Sequence, residues 1–298
     1  MKILILGGDG MIGHKMAQVL SSQNHETVIS IREKKDLTLK SISSKSKVFF
    51  NDFLKDNILD FLVKVNPDVI INAIGVTIRR GVNENISDTI YLNSLFPHQI
   101  SSWALAFKKR LIHFSTDCVF SGSEGSYLED TTPDALDYYG KTKGLGEINS
   151  KSSLTIRSSM IGPELYNKTE LFEWIINNKE KEINGFSRAM YSGVTTVYMA
   201  RLLGNLIDNH KNLSGIYNVA SKPISKFDLL HLINDNFDLG LIINDDKTVI
   251  SNKTLNDSKI EKEIGLQAPS WDELIFELKK DYMNFIDLYK TIYRWQQK

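Results

Sequence analysis

Short apolar runs alternate with amphipathic stretches along the first half of the chain. Lys2–Leu6 carries four apolar residues in a row, and residues 11–20 place apolar side chains at 11, 12, 16, 17, 19 and 20, close to helical spacing. Glu26–Ile31 is a second β-branched run. The unit then repeats: Ile58–Val65 reads as a helix, 68–73 as a buried strand, 97–107 as a helix and 111–114 as a strand. Pro97 falls in a first helical turn, where a missing N–H costs little. Residues 139–150 predict a further helix and 153–156 the strand after it. Strand runs that are apolar throughout, separated by helices, predict an α/β fold with a doubly wound parallel sheet covered on both faces.

The rhythm changes after residue 158. Residues 171–178, 197–208, 226–234 and 271–295 read as helices, the last one in two parts, and 215–219 reads as one more strand. This predicts a nucleotide-binding core over 1–158 and a smaller mixed lobe over 159–298 that receives the substrate. The two interleave, because the strand near 215–220 returns to the core sheet.

Composition removes several classes of function. The 298 residues are 42% hydrophobic, with 36 Lys plus Arg against 36 Asp plus Glu, so no global basic field draws nucleic acid or an anionic membrane. A lone cysteine, Cys118, excludes an internal disulfide framework and a multi-cysteine metal site. The six histidines show no ligand spacing, so no metal is expected. No apolar stretch approaches the ~20 residues needed to span a bilayer, and no signal segment opens the chain. The expectation is a soluble, cytoplasmic protein.

The turn Gly7-Gly8-Asp9-Gly10-Met11-Ile12-Gly13 joins the first strand to the first helix. Its glycines suit a tight turn, a close backbone approach to a pyrophosphate and helix–strand contact, with the helix N-terminus facing the phosphates. Both GxxGxxG and GxGxxG registers fit. The second strand ends at Arg32 rather than at an acid that would bind a ribose 2′-OH. A guanidinium there suits a 2′-phosphate and so NADPH over NADH; the alternative is a solvated arginine on a surface turn.

Tyr139-Gly140-Lys141-Thr142-Lys143 places a tyrosine and a lysine four apart on one helical face. A phenol of ordinary pKa ~10 is a poor acid–base group near neutrality. An ammonium about 4 Å away, at an effective dielectric of about 20, is worth about 4 kcal/mol and would bring it into range. Ser115-Thr116-Asp117 follows the 111–114 strand, and Asn72-Ala73-Ile74-Gly75 ends the strand before it. Both therefore lie at the carboxyl edge where doubly wound sheets bind their ligands. Asn93 falls in a helix beneath that edge, either as a core amide or as a residue that pins backbone or relays a proton.

The glycine loop, Asn72, Asn93, Thr116, Tyr139 and Lys143 occur in the order and spacing of the short-chain dehydrogenase/reductases. Over nearly its whole length the chain resembles their extended branch, specifically the dTDP-4-dehydrorhamnose reductase-like sugar-nucleotide reductases. The segments that carry this are 111–122, ending Ser115-Thr116-Asp117-Cys118-Val119-Phe120-Ser121-Gly122, then Leu145-Gly146-Glu147, Ile156-Arg157-Ser158-Ser159 and 215–220. The resemblance implies a Rossmann-type core and reduction, with NADPH, of the 4-keto group of a nucleotide-linked 6-deoxyhexose for surface polysaccharide. It implies that Tyr139 gives the proton, that Lys143 lowers the tyrosine pKa and binds the nicotinamide ribose, and that Thr116 bonds the ketone or the tyrosine oxygen. It also implies that Asp52-Phe53 contacts adenine.

Two positions depart from the rhamnose-type pattern. Cys118 stands where tyrosine is usual and Met160 where tryptophan is usual, both at the sugar, so a roomier pocket could take a UDP-2-acetamido-2,6-dideoxy-4-keto-hexose. A dehydratase would carry glutamate at position 118, which disfavours an NAD-dependent dehydratase or epimerase. A non-catalytic dinucleotide-binding regulatory subunit would not need the Thr116, Tyr139 and Lys143 set. Arg188, Arg79 and Arg80 are candidates for a nucleotide diphosphate. Trp103 and Trp174 read as core residues, Cys118 as an inert thiol, and 271–295 as packing on the small lobe or a homodimer surface.

Overall fold

In this computed structural model residues 1–33, 45–81 and 84–289 are described. The first strand, β1 (Lys2–Leu6), shows why the sheet needs cover on both sides. Its successive side chains point to opposite faces. Ile3 and Ile5 enter one core with the helices Met11–Ser21 and Thr196–Asn209. Leu4 and Leu6 enter a second core with the helices Ile58–Val65 and Phe96–Ala106. All four side chains are fully buried.

The further strands are β2 (Glu26–Ile31), β3 (Lys47–Phe50), β4 (Val69–Asn72), β5 (Arg110–Phe114), β6 (Ser153–Arg157), β7 (Met160–Ile161), β8 (Glu182–Phe186), β9 (Ala189–Tyr191) and β10 (Val194–Thr195). They continue with β11 (Gly215–Asn218), β12 (Ile224–Ser225), β13 (Ile242–Asp246) and β14 (Ser251–Asn252). The central sheet runs β3-β2-β1-β4-β5-β6-β11 and is parallel throughout. Strand order reverses between β1 and β4, so the loops leaving their carboxyl ends part and open a crevice. The strand near 215–220 pairs with β6, Gly215 opposite Leu154 and Asn218 opposite Arg157.

Three small sheets, β10-β7, β12-β9-β14 and β13-β8, form the second lobe with the helices Leu171–Asn177, Lys226–Phe237, Ser258–Ile264 and Trp271–Asn284. The β12–β9 pair is antiparallel and the rest parallel, so this lobe is mixed.

Two local expectations change. The helix expected over 139–150 is Tyr138–Leu145, because Gly146 lies against the Asn93 carbonyl and a Cβ there would come within 1.9 Å of that oxygen. The segment holding Asn93 is a π-helical turn, Tyr91–Leu95, which widens the helix locally and turns Asn93 inward. The C-terminal helix comes in two parts as expected: it runs Trp271–Asn284, a turn follows at 285 and residues 286–289 are helical again, while Trp295 lies outside the described residues. Trp271, Leu274, Ile275, Leu278 and Tyr282 bury its apolar face in the protein's own core. Phe276 and Met283 of the same helix stay exposed.

Candidate active site

The glycine loop divides its work in a way that selects one register. Gly7 adopts φ +78, a conformation that L side chains rarely tolerate. A Cβ on Gly13 would sit 2.1 Å from the Gly7 carbonyl oxygen, so this residue lets helix and strand touch. Gly10 caps the helix and lines the crevice. Gly8 instead packs on Ile29, where a Cβ would come within 2.0 Å of its side chain. The positive φ, the helix cap and the helix–strand contact fall on Gly7, Gly10 and Gly13.

A cavity of about 590 Å³ opens above this loop. Gly7, Asp9, Gly10, Met11, Arg32, Asp52, Phe53, Ala73, Ile74 and Gly75 line it, all expected from sequence. Arg32 reaches it from the end of β2, two-thirds exposed with Glu33 3.8 Å away. Phe53 is held by ring contacts to Phe61 and Phe96. Gly8, Ile12 and Gly13 shape the loop without lining the cavity. The opposite wall went unread in the sequence: Glu164, Tyr166, Asn167 and Thr169, from the loop after β7. That loop has no motif, and only its path across the crevice brings it there. Glu164 organises it by accepting, through Oε2, the Thr169 and Glu170 N–H groups at 2.7 Å each.

Two expected cofactor residues face inward instead. Asn72 is fully buried, its Oδ1 accepting the Ile74 N–H at 3.1 Å and its amide 3.2 Å from His113 Nδ1. Asn93 accepts the Val76 N–H at 2.8 Å and donates to the Val76 carbonyl and to Thr142 Oγ1. Both bond the backbone that forms the cavity floor, at Ile74 and Val76.

Thr116, Tyr139 and Lys143 come together at the same edge. Thr116 starts the turn Asp117–Val119, and the helix Tyr138–Leu145 is capped by Asp137, which accepts the Gly140 N–H at 2.8 Å. Gly140 fits that helix onto the turn, since a Cβ there would stand 2.2 Å from the Cys118 carbonyl oxygen. The Thr116 hydroxyl donates to Asp117 Oδ1 at 3.0 Å and accepts the Cys118 N–H at 3.1 Å. Lys143 is buried, donates to the Phe114 carbonyl at 2.6 Å, and stands by Gly75 on the cavity floor.

The electrostatics depart from expectation. Burial, and then Cys118, push the Tyr139 phenol well above the usual tyrosine range, with Thr116 opposing. The Lys143 ammonium donates to a backbone carbonyl, and burial lowers its own pKa to about 8, with Glu147 opposing. Burial, reinforced by Asp117, pushes the Cys118 thiol up to about 12, which keeps it an inert neutral group.

Glu147 and Arg157 brace the two strand ends. They form a buried fork at 2.7 Å, Ser115 donates to Glu147 at 2.6 Å, and Arg157 stacks over Phe120.

The remaining candidates separate. Met160 packs on the main core from β7. Arg188 is exposed on the turn between β8 and β9 and lines neither this cavity nor a second one of about 160 Å³. Arg79 lines both and donates to the Thr169 carbonyl at 2.5 Å. The Arg80 side chain lies outside the described residues. Trp103 is buried as expected, but Trp174 is 39% exposed and lines the second cavity with Phe186 and Lys226. Among the described residues no group of three or more His, Cys, Asp or Glu is placed to hold a metal, and no helix is long and apolar enough to cross a membrane.

Parallel strand order, a glycine loop at the switch point and a polar set at the same edge define a Rossmann-type dinucleotide fold. Within that class the chain belongs to the RmlD substrate binding domain family, which matches residues 1–283. It is similar to the dTDP-4-dehydrorhamnose reductase of Aggregatibacter actinomycetemcomitans, 23% identical over 303 residues covering 93% of this chain and 98% of that protein. The structure of dTDP-4-dehydrorhamnose reductase from Bacillus anthracis in complex with NADP matches with a TM-score of 0.74 at 19% identity, over 94% of this chain and 99% of that one. The dTDP-glucose 4,6-dehydratase of the same organism, in complex with NAD, matches with a TM-score of 0.77 at 14% identity, over 98% and 99%. A reductase and a dehydratase thus share this backbone, and side chains must separate them.

Proposed function

We propose that this protein is an NADPH-dependent ketoreductase acting on the 4-keto group of a nucleotide-linked 6-deoxyhexose, the chemistry named for its full-length relative. One observation carries the reading: Thr116, Tyr139 and Lys143 meet beside the large cavity, with Cys118 where a dehydratase would carry glutamate. The cavity suits NADPH: Gly7 and Gly10 leave backbone room for a pyrophosphate, Arg32 offers a cation to a 2′-phosphate, and Asp52 and Phe53 flank the adenine end. When bound, NADPH supplies the hydride. Tyr139 gives its proton to the ketone oxygen. A phenol held above its usual range stays fully protonated at neutral pH, as a proton donor must. Lys143 serves the nicotinamide ribose, and Asn72 and Asn93 keep the floor rigid.

The nucleotide end of the substrate is assigned to the second cavity, where Arg79 and Lys226 offer cations and Trp174 and Phe186 offer aromatic surface. Residues 1–158 then form the cofactor core and 159–298 mainly the substrate lobe. The small side chains at Cys118 and Met160 favour a second substrate type, the UDP-linked 2-acetamido sugar, over dTDP-4-dehydrorhamnose. A cytoplasmic location belongs to the same reading. So does a homodimer, through the exposed Leu136 and Leu145 beside the Tyr138–Leu145 helix.

The test is NADPH oxidation against dTDP- and UDP-linked 4-keto-6-deoxy sugars, with and without the 2-acetamido group. Consumption with one member identifies the substrate. NADPH binding without turnover on any member would sink the reductase reading in favour of a regulatory subunit.

A further inference from the structure

The two walls of the large cavity, the glycine loop and the segment 164–169, are both tied to one buried side chain that does not line the cavity itself. Tyr289 lies in the short helical stretch 286–289 and is fully buried. Its hydroxyl stands 3.2 Å from His14 Nε2, and His14 Nδ1 stands 2.9 Å from the Gly10 carbonyl oxygen. A carbonyl only accepts, so Nδ1 carries the imidazole proton, Nε2 accepts and the hydroxyl donates. The Gly10 carbonyl also takes the His14 backbone N–H at 3.0 Å. The Tyr289 ring meets the second wall through Lys168, whose Nζ is 5.8 Å from the ring centroid. Lys168 holds that wall together, donating to the Glu164 carbonyl at 2.6 Å and to Glu173 at 3.0 Å, while Glu173 accepts the Glu164 N–H at 2.8 Å. Lys168 adopts φ +56, backbone that residues with a side chain rarely take, so these contacts hold a strained turn in place. Stacking on Tyr282, with centroids 5.1 Å apart, and the Lys15–Asp281 pair at 2.5 Å fix the segment that carries Tyr289.

We propose that Tyr289 is a positioning residue for NADPH, acting through His14 on the glycine loop and through Lys168 on the opposite wall. The proposal rests on the large cavity being the cofactor site. A trans peptide is planar, so its C=O and N–H point in opposite directions. The two bonds from His14 draw the Gly10 carbonyl into the first helix, which aims the Met11 N–H of the same peptide outward, where Gly10 and Met11 line the cavity. That N–H is among the first of the helix, for which the helix itself has no acceptor, so it is left for a pyrophosphate oxygen. Tyr289 keeps this peptide in place. A buried imidazole deprived of the hydroxyl has an unsatisfied Nε2, and it regains a bond only by changing tautomer or by turning away from Gly10. Burial also keeps the imidazole neutral, the state in which one nitrogen donates and the other accepts. The contacts end at the cofactor loop, so the effect falls on affinity for NADPH and not on the chemical step.

The experiment is a fluorescence titration of NADPH into the parent and Tyr289→Phe, followed by steady-state kinetics on the substrate found in the panel. Phenylalanine keeps the ring against Lys168 and Tyr282 and removes only the hydroxyl. The expected result is an NADPH Kd and KM raised about threefold to tenfold, the range of one neutral hydrogen bond, with kcat at saturating NADPH within about twofold of the parent. Tyr289→Leu, which also takes the ring from Lys168, should raise Kd further. A residue with a purely structural role would lower the melting temperature and leave the Kd of the folded protein unchanged. That result overturns the proposal, as does a fall in kcat with Kd intact. Should Tyr289→Phe fail to fold, His14→Asn is read in its place, since its short amide reaches toward Gly10 but not to Tyr289; an unchanged Kd there overturns the proposal equally. Where both variants fold, the increases in Kd should not multiply in the double variant, because both cut one line. Full multiplication would show that Tyr289 does not act through His14. An independent readout is nitrogen NMR of His14 in the cofactor-free protein, which should find the proton on Nδ1; a proton on Nε2 overturns the proposal. If the parent binds no NADPH, the cofactor reading fails and the proposal with it; if the parent binds and the variants bind as tightly, only the role of Tyr289 fails.

Discussion

Tyr139 gathers several influences on one oxygen: burial and the neighbouring Cys118, Asp117 and Glu170 raise its pKa, and Thr116 opposes them. Proton donation by such a group contributes roughly 10²–10⁴-fold to rate. Tyr139→Phe should therefore lose at least about a hundredfold in kcat while its NADPH Kd stays within twofold. A variant that reduces substrate at the parent rate would remove Tyr139 as the acid. Arg32 acts by charge from an exposed position, where water screens it. Charge-assisted hydrogen bonds contribute about 1.5–3 kcal/mol, so Arg32→Ala should weaken NADPH binding about tenfold and leave NADH nearly unchanged. Equal losses for the two cofactors in a binding titration would show that Arg32 does not read the 2′-phosphate.

At the scale of elements, the site depends on two close approaches. The helix Tyr138–Leu145 meets the Asp117–Val119 turn through Gly140 and the Tyr91–Leu95 turn through Gly146. A Cβ at position 140 would collide with backbone, which cannot swing aside as a side-chain tip can. Gly140→Ala should cost about 1–3 kcal/mol of stability, the usual range for overpacking. It should also separate Tyr139 from Thr116, so kcat falls further than the loss of folded protein accounts for. Chemical denaturation and kinetics on the same preparation check both, and an unchanged kcat would show that the helix can shift without disturbing the acid.

Across the whole molecule, the C-terminal segment is tied to the glycine loop. Lys15 is buried and donates to Asp281 at 2.5 Å, while His14 lies between the Gly10 carbonyl at 2.9 Å and the Tyr289 hydroxyl at 3.2 Å. Burial, with Lys15 adding to it, lowers the His14 pKa to about 3. The unfolded chain, with His near ~6.5, binds that proton more readily, so stability is full above about 6.5 and falls as pH drops toward 3. His14→Gln should flatten this part of the stability–pH curve in melting experiments. An unchanged slope between pH 6 and about 4 would assign the acid sensitivity to other groups.

The local pattern already contained the alternating strands and helices, the glycine turn, and Tyr139 with Lys143 on one helical face. These depend on side-chain periodicity and on backbone freedom, properties that a few neighbouring residues settle among themselves. Arg32 was readable because it follows a strand, and strand ends in a parallel sheet converge on one edge, whereas Asp52 and Phe53 were reached only through the family resemblance. The wall from Glu164 to Thr169, the exposure of Trp174 and the place of Arg79 were not readable. Each joins residues far apart in the chain or depends on which way a side chain turns. The opposed pKa shifts of Tyr139 and Lys143 have the same origin, since desolvation is set by everything packed around a group and not by its four-residue spacing.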